Sequence, residues 1–173
     1  VLMAAGASSR FGECKLIKEF ASRPMFEYAL DALPYNTLCA IAVVSGRAEI
    51  LAAAEARGFI PVLNDRPEDG PPRTIRLGME AVGDADGIMF MVADQPLLRR
   101  STVDGMCAAF ACSQEKERDI FRLCAPENGS PVTVGSPVLF GRGYFDALLH
   151  LPEGKGGGAV LRQHTECVRL FAA

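Results

Sequence analysis

The chain has 173 residues, 49% of them hydrophobic, and a formal net charge of −3. That length supports one domain with a proper core, expected here over residues 1–173. The slightly negative charge excludes a general nucleic-acid binder, and no apolar run reaches membrane-spanning length, so neither nucleic acid nor membrane is an expected partner.

Cysteine usage narrows the class further. Cys14, Cys39, Cys107, Cys112, Cys124 and Cys167 contain no C-x-x-C pair, and His150 and His164 are the only histidines. A zinc site is therefore not expected. Several cysteines fall in apolar patterns, where reduced Cys acts as a small hydrophobe. The start lacks the basic leader and cleavage site of a signal peptide. The missing initiator Met points to a few residues upstream. The expectation is a reduced, cytoplasmic, enzyme-sized protein.

In chain order, Val1 to Ala5 are small or apolar and read as a buried strand. The strand opens at Gly6 into Ala7, Ser8, Ser9, Arg10, Phe11 and Gly12, and Lys15 closes the segment. A Gly-containing, hydroxyl-rich loop after a strand lets backbone N–H groups approach an anion. Arg10 and Lys15 add positive charge at its mouth. The P-loop spacing fails, because five residues separate Gly6 from Gly12. The dinucleotide fingerprint fails as well, because position 8 is Ser.

Pro24 to Leu33 reads as a helix with Phe26, Ala29, Leu30 and Leu33 on one face. Leu38 to Ser45 is a continuous apolar run, expected as a buried parallel strand. Arg47 to Arg57 is a helix ended by Gly58, and Phe59 to Leu63 is the next strand. This cadence predicts a doubly wound α/β domain. Asn64 to Gly78 is polar and proline-rich, and leads into a helix over Pro72 to Val82. Ile75, Met79 and Val82 mark its buried face, with Arg73, Arg76 and Glu80 opposite. A loop that ends in a helix start after a strand suits a nucleotide or a phosphate.

Gly87 to Ala93 is a short all-apolar run and reads as a central strand. It ends in Asp94-Gln95-Pro96. A carboxylate there projects at the ligand-binding edge of an open α/β sheet. If this strand neighbours the first, Asp94 faces the bound phosphates and holds Mg²⁺ with them. Ser101 is expected to cap the next helix, with Asp104 in the capping-box position and Val103, Met106, Cys107 and Phe110 buried. Ser113 to Arg118 is a charged connection. Asp119 to Ala125 and Ser130 to Thr133 are candidate strands. Gly135 to Phe140 is a further strand, whose glycine allows close backbone approach. Arg142 to Leu151 reads as a helix, Gly156 to Gly158 as a mobile anion-friendly loop before another, and Cys167 to Phe171 as a last strand.

Ala4, Ala5, Gly6, Ser8, Arg10, Phe11, Gly12 and Lys15 match position by position the signature of nucleotidyltransferases that carry Ala-Ala-Gly-x-Ser-x-Arg-(Phe/Met)-Gly before a Lys. Ala93-Asp94-Gln95-Pro96 is similar to their metal-binding motif. Asp69, Gly70, Thr74, Ile75, Arg76, Gly78 and Met79 fit their base-loop pattern loosely, with Pro71 and Pro72 departing from it. Gly135-Ser136-Pro137-Val138-Leu139-Phe140 resembles a third landmark. The chain thus resembles the MobA-like NTP transferases, and most of all the molybdenum cofactor (molybdopterin) cytidylyltransferases, since Ala4-Ala5-Gly6 leans to the cytidylyltransferase branch.

The resemblance implies a Rossmann-like, mostly parallel sheet of the nucleotide-diphospho-sugar transferase kind in three α/β/α layers. Residues up to about 100 would bind nucleotide and the remainder the acceptor. It implies Arg10, Lys15 and Asp94 as catalytic, with Asp94 on Mg²⁺. It implies Ala4, Ala5, Gly6, Ala7, Ser8, Ser9, Asn64, Asp65, Gly70 and Arg76 for the nucleotide, CTP or GTP. It implies Gln95, Gly135, Ser136, Pro137 and Lys155 for the acceptor, molybdopterin, with a molybdoenzyme or its chaperone as protein partner. Lys155 and Ala159 stand where the cytidylyltransferase-like members carry an acid and an Arg. Two alternatives remain open at this point: a sugar- or isoprenoid-phosphate nucleotidyltransferase, and a non-catalytic nucleotide- or cofactor-binding accessory protein.

Overall fold

Strand β1 (Leu2–Met3) is an interior strand of a seven-stranded sheet in the computed structural model, which describes residues 1–6, 14–127 and 130–172. A hairpin of β2 (Glu19–Phe20) and β3 (Arg23–Pro24) precedes helix α1 (Met25–Asp31). Its two-residue turn puts both Ala21 and Ser22 at positive φ, the primed geometry that matches strand twist. The chain continues through β4 (Ala42–Ser45), α2 (Ala48–Glu55), β5 (Ile60–Leu63), α3 (Gly70–Val82) and β6 (Gly87–Val92). It then runs through α4 (Arg100–Ala111), β7 (Ile120–Glu127), β8 (Ser130–Gly141), α5 (Phe145–Leu149), α6 (Gly158–Gln163) and β9 (Val168–Ala172).

The strand order is β5-β4-β1-β6-β8-β7-β9. Only β8 runs against its neighbours; every other pairing is parallel. From β1 the chain first builds outward through β4 and β5. It then crosses back, and β6 pairs with the other side of β1. This reversal leaves the carboxyl ends of β1 and β6 side by side, which is where open α/β sheets bind ligands.

Side chains alternate across the strands and divide the core in two. Val43, Met89, Met91, Phe121 and Leu139 pack on one face with α1, α2 and α4. Val44, Ile88, Phe90, Ile120, Val138 and Phe140 pack on the other with α3, α5 and α6. The result is the mostly parallel, three-layer nucleotide-diphospho-sugar transferase-like fold that the sequence implies. No helix of the described residues is long and apolar enough to cross a membrane.

Several boundaries differ from the sequence reading for identifiable reasons. The strand expected from Leu38 begins only at Ala42, because Thr37 and Leu38 both turn back to the Pro34 carbonyl. The helix expected from Pro72 begins at Gly70. Pro71 and Pro72 fall in the first turn, where a missing N–H costs nothing. Ser101 lies inside α4 rather than capping it, and Asp104 instead accepts a 2.6 Å hydrogen bond from the Thr37 hydroxyl. The helix expected over 142–151 contains only a 3-10 turn, Arg142–Tyr144, and the short α5.

The two strands expected at 130–133 and 135–140 are one strand, β8. Its register against β7 jumps from Val138↔Arg122 to Thr133↔Cys124, so Gly135, Ser136 and Pro137 bulge out of the ladder. The Ser136–Pro137 peptide is cis. Of the turn that the sequence predicts at Glu127-Asn128-Gly129, Glu127 ends β7, and Asn128 and Gly129 lie outside the described residues.

At the far end of β8, a Cβ on Gly141 would stand 1.8 Å from the Lys116 backbone oxygen. The Gly141 N–H donates to the Asp119 carbonyl at 3.0 Å, which holds the connection against the strand. Gly141→Ala should therefore lower stability by at least about 2 kcal/mol. Urea unfolding checks this: the midpoint should fall with little change in slope, and an unchanged midpoint would refute this packing.

Candidate active site

Backbone bonds fix the two strand ends before any side chain acts. The Ala4 N–H donates to the Val44 carbonyl at 2.8 Å, and the buried Ser45 hydroxyl donates to the Ala4 carbonyl at 3.0 Å. The Ala93 N–H donates to the Met3 carbonyl at 3.2 Å. β1 and β6 are thus joined up to the residues where Gly6 and Asp94 leave the sheet. Lys15 begins a 3-10 turn, Lys15–Ile17, pinned by the buried Leu16. Its ammonium lies 3.6 Å from the Asp94 carboxylate, with both side chains about half exposed at 52% and 48%.

Lys15 and Asp94 share the wall of a cleft of about 360 Å³ with Ala5, Gly6, Pro71 and Thr74. The structure therefore brings together the described part of the first motif, the Asp94 motif and the start of α3. Ala7, Ser8, Ser9 and Arg10 lie outside the described residues, as do Phe11 and Gly12. Thr74 was not singled out as a ligand by the sequence reading. The residue is 95% buried and lines the cleft, and its hydroxyl accepts from the Asn64 amide at 3.1 Å. The loose pattern match of Thr74, one turn into a helix after a glycine, was the available signal.

The loop after β5 is built on Asn64, which is fully buried. Its carbonyl oxygen accepts from the Arg73 guanidinium at 3.0 Å and from the Arg66 N–H at 3.2 Å. Arg73 also holds Asp65 at 2.5 Å and lies 4.0 Å from Asp69. Arg73 therefore does not share an outer face with Arg76 and Glu80, as the helical pattern implied. It turns back over the loop and ties it to α3. Asn64 shapes the loop from inside, whereas Asp65 is the exposed carboxylate. Gly70 has φ +74, a conformation that favours glycine, and opens α3. Arg76 is exposed on α3 and outside the cleft wall.

A second pocket of about 190 Å³ adjoins the first and shares Met3 and Val92 with it. Gly135 and Ser136 reach its wall. Ser136 accepts two hydrogen bonds within the protein. Its hydroxyl accepts from the Val92 N–H at 3.1 Å, and its carbonyl accepts from the Gln95 amide at 2.9 Å. Gln95 and Ser136 thus tie the end of β6 to the β8 bulge, and the Gln95 Oε1 is buried with no hydrogen-bond partner among the described residues. Pro137 is buried behind them. Lys155 is exposed and lies outside the wall; Gly156, Gly157 and Gly158 form it instead. Arg122 and Arg162 also reach this pocket, unforeseen from the sequence. The signal for Arg122 was its place in an apolar strand on the same inward face as Ile120.

A mostly parallel sheet whose β1 and β6 ends are joined over a cleft is an α/β protein of the doubly wound class, which binds its ligands at that edge. The chain belongs to the MobA-like NTP transferase family, whose domain model matches residues 1–168. No curated protein matches the sequence. Among solved structures, Rv0371c from Mycobacterium tuberculosis H37Rv superposes with a TM-score of 0.77 at 22% identity, over 99% of this chain and 85% of that one. The same protein complexed with manganese gives 0.74 at 21%, over 99% and 85%. A CMP:2-keto-3-deoxy-manno-octonic acid synthetase complexed with CTP gives 0.72 at 16%, over 99% and 88%. Identities this low describe a shared fold.

The hydrogen bond from Arg73 holds the Asp65 carboxyl below its ordinary value of 3.8. The pair is therefore intact at neutral pH and is lost as pH falls through the lowered value. An NMR titration of the Asp65 carboxyl should show this depressed midpoint, and Arg73→Gln should raise it toward 3.8. An unchanged midpoint in the variant would refute the pairing.

Proposed function

We propose that the protein is a metal-dependent nucleotidyltransferase. It moves a nucleoside monophosphate from a nucleoside triphosphate, CTP ahead of GTP, to the phosphate of molybdopterin or its molybdenum form. Pyrophosphate is the second product, and the reaction runs in the cytoplasm. The observation that carries this reading is the meeting of Lys15 and Asp94 at 3.6 Å over the joined ends of β1 and β6. Family membership supports nucleotidyl transfer and a phosphorylated acceptor. The Ala4-Ala5-Gly6 motif supports CTP, as does the fold shared with a CTP-bound synthetase.

The donor set fits Mg²⁺ brought in with substrate. Among the described residues no group of three or more His, Cys, Asp or Glu side chains stands ready to hold an ion by protein alone. Mg²⁺ takes one or two carboxylates and completes its shell with phosphate oxygens and water. Asp94, half exposed on the cleft, is the carboxylate that would hold it. Once bound, the ion would neutralise charge on the transferring phosphoryl group.

The remaining work falls to the chain itself. Ala5 and Gly6, with Ala7, Ser8 and Ser9, would offer backbone N–H groups to the triphosphate, whereas the Ala4 N–H is spent on the Val44 carbonyl. Lys15 and Arg10 balance the charge of its β- and γ-phosphates. Asp65 and Gly70 border the base, and the Thr74 hydroxyl, already accepting from Asn64, donates its own proton into the cleft. The acceptor phosphate is a nucleophile at neutral pH, so no protein base is required. Its oxygen forms a bond to the α-phosphorus as the α–β bridging bond breaks. Pyrophosphate leaves with that electron pair, stabilised by Lys15 and Arg10. Positioning and charge neutralisation supply the rate.

Asp94→Asn should lower kcat by about 10²- to 10³-fold, the loss typical when a charge-stabilising group is removed. Pyrophosphate release with CTP, Mg²⁺ and molybdopterin measures it. A Mg²⁺-dependent thermal shift with CTP should accompany it, since ligand at a hundredfold excess over Kd stabilises by about 2.7 kcal/mol. Near-wild-type turnover in the variant would overturn the mechanism. Nucleotide binding with no pyrophosphate release from the wild-type protein would favour the accessory role.

A further inference from the structure

On the face of the sheet that carries α1, α2 and α4, the ends of these helices meet around a cavity of about 260 Å³. Asp31 ends α1, Arg57 follows the end of α2, Phe59 precedes β5 and Arg100 opens α4. These four line the cavity with the buried Leu30 and with Tyr35. None of the six lines the nucleotide cleft or the pocket beside it.

We infer that this cavity is a second anion site, which takes the phosphate group of a small molecule at Arg57 and Arg100. The site stands apart from the nucleotidyltransferase reading. Asp31 is the one carboxylate in its wall, and three guanidinium groups reach that residue. Arg23 pairs with its Oδ2 at 2.5 Å, and Arg57 lies 3.4 Å from its Oδ1. Arg100 donates from Nε and NH2 to its backbone carbonyl at 3.1 and 3.0 Å. Among the described residues no other carboxylate pairs with any of the three arginines. Two positive charges are therefore left over beside the cavity. A phosphate monoester is close to a dianion at neutral pH and matches them. Both Asp31 oxygens already face a guanidinium, so the carboxylate does little to oppose an entering anion.

The two arginines are also held ready. Arg57 NH1 donates to the Ala53 carbonyl at 3.1 Å, in the last turn of α2, and Arg100 holds the carbonyl of the last residue of α1. A helix C-terminus favours a cation. These carbonyls fix each side chain without cancelling its full charge. Arg100 lies over the Tyr35 ring as well, 4.5 Å from its centroid. Side chains already ordered lose little freedom when a ligand arrives. Each guanidinium spends two N–H groups within the protein and keeps the rest of its planar fork, which matches phosphate oxygens. Tyr35 is 55% exposed, so the cavity is open to solvent on its side. The volume suits a phosphate with a short organic group.

The test follows the Tyr35 ring by NMR, a reporter inside this site and outside the nucleotide cleft; Tyr35→Phe identifies its resonance. Inorganic phosphate and glycerol 3-phosphate are titrated into the wild-type protein at constant ionic strength, with chloride as the control. Both phosphates should shift the resonance saturably, and chloride should not. Arg57→Gln and Arg100→Gln should each weaken phosphate about tenfold, the loss of a charge-assisted hydrogen bond. Arg57→Lys, which keeps the charge, should retain more affinity than Arg57→Gln. Lys15→Ala, a change in the nucleotide cleft, should leave the Tyr35 response as in the wild type. Tighter glycerol 3-phosphate supports a site for an organic phosphate, and equal affinity supports one for phosphate alone. A Tyr35 resonance that stays still, that moves equally with chloride, or that titrates as in the wild type in Arg57→Gln would overturn the inference. So would a response lost in Lys15→Ala, which would put the phosphate in the nucleotide cleft. Urea midpoints show that each variant is folded. No nucleotide enters the titration, so failure here leaves the nucleotidyltransferase reading to its own test.

Discussion

Everything at this site depends on one topological constraint, the return of β6 to the free side of β1. Had the chain continued beyond β5, Asp94 would stand at an outer strand, several strand spacings from Gly6 and Lys15. Crossing back instead makes Met3 and Ala93 hydrogen-bonded neighbours. A cation-bearing loop and a carboxylate, distant in the sequence, then share one edge. Ser45 on the other side of β1 secures the same strand end through Ala4. The reactive groups are thus carried on short exposed segments, whereas the positions from which they depart are held by buried backbone bonds.

The Lys15–Asp94 pair acquires its meaning from its weakness. Two half-exposed charges contribute under about 1 kcal/mol to stability and are screened by salt. A buried ion pair would resist separation, because parting it strands a charge in low dielectric. This one separates at little cost. Under the proposed function the ammonium would exchange its partner for phosphate oxygens and the carboxylate would exchange its own for the accompanying metal. The same proximity that stabilises the free protein slightly also keeps both groups together at the cleft.

The fold was largely legible in the sequence because apolar runs and small-residue turns were separated cleanly. Gly87 to Ala93 could be read as a central strand from composition alone, and the α4 stripe of Val103, Met106, Cys107 and Phe110 is buried as its spacing implied. Errors came where tertiary partners overrode local pattern. Ser101 carries a capping residue's chemistry, but the chain enters α4 through extended Arg99, and Asp104 is claimed by Thr37 from another part of the fold. The β8 strand looked like two because Gly135-Ser136-Pro137 reads as a break. The structure keeps the strand and expels those residues as a bulge, since Val92 and Gln95 supply the hydrogen bonds that the β7 ladder does not.

The site was legible in its charges and much less so in its neutral polar residues. Lys15 and Asp94 announce themselves because a charge after an apolar strand has little structural reason to be there. Asn64, Gln95 and Ser136 have side chains that suit either a ligand or the protein interior, and pattern does not separate the two uses. Here each is spent mainly inward: Asn64 on Arg66, Arg73 and Thr74, and Gln95 and Ser136 on each other and on Val92. Their importance is therefore positional. Asn64 holds the hydroxyl of Thr74, a residue of the cleft wall, and the Gln95–Ser136 link ties the β6 end to the β8 bulge beside the second pocket. A motif in this chain marks where the backbone must be held as often as it marks which atom meets the substrate.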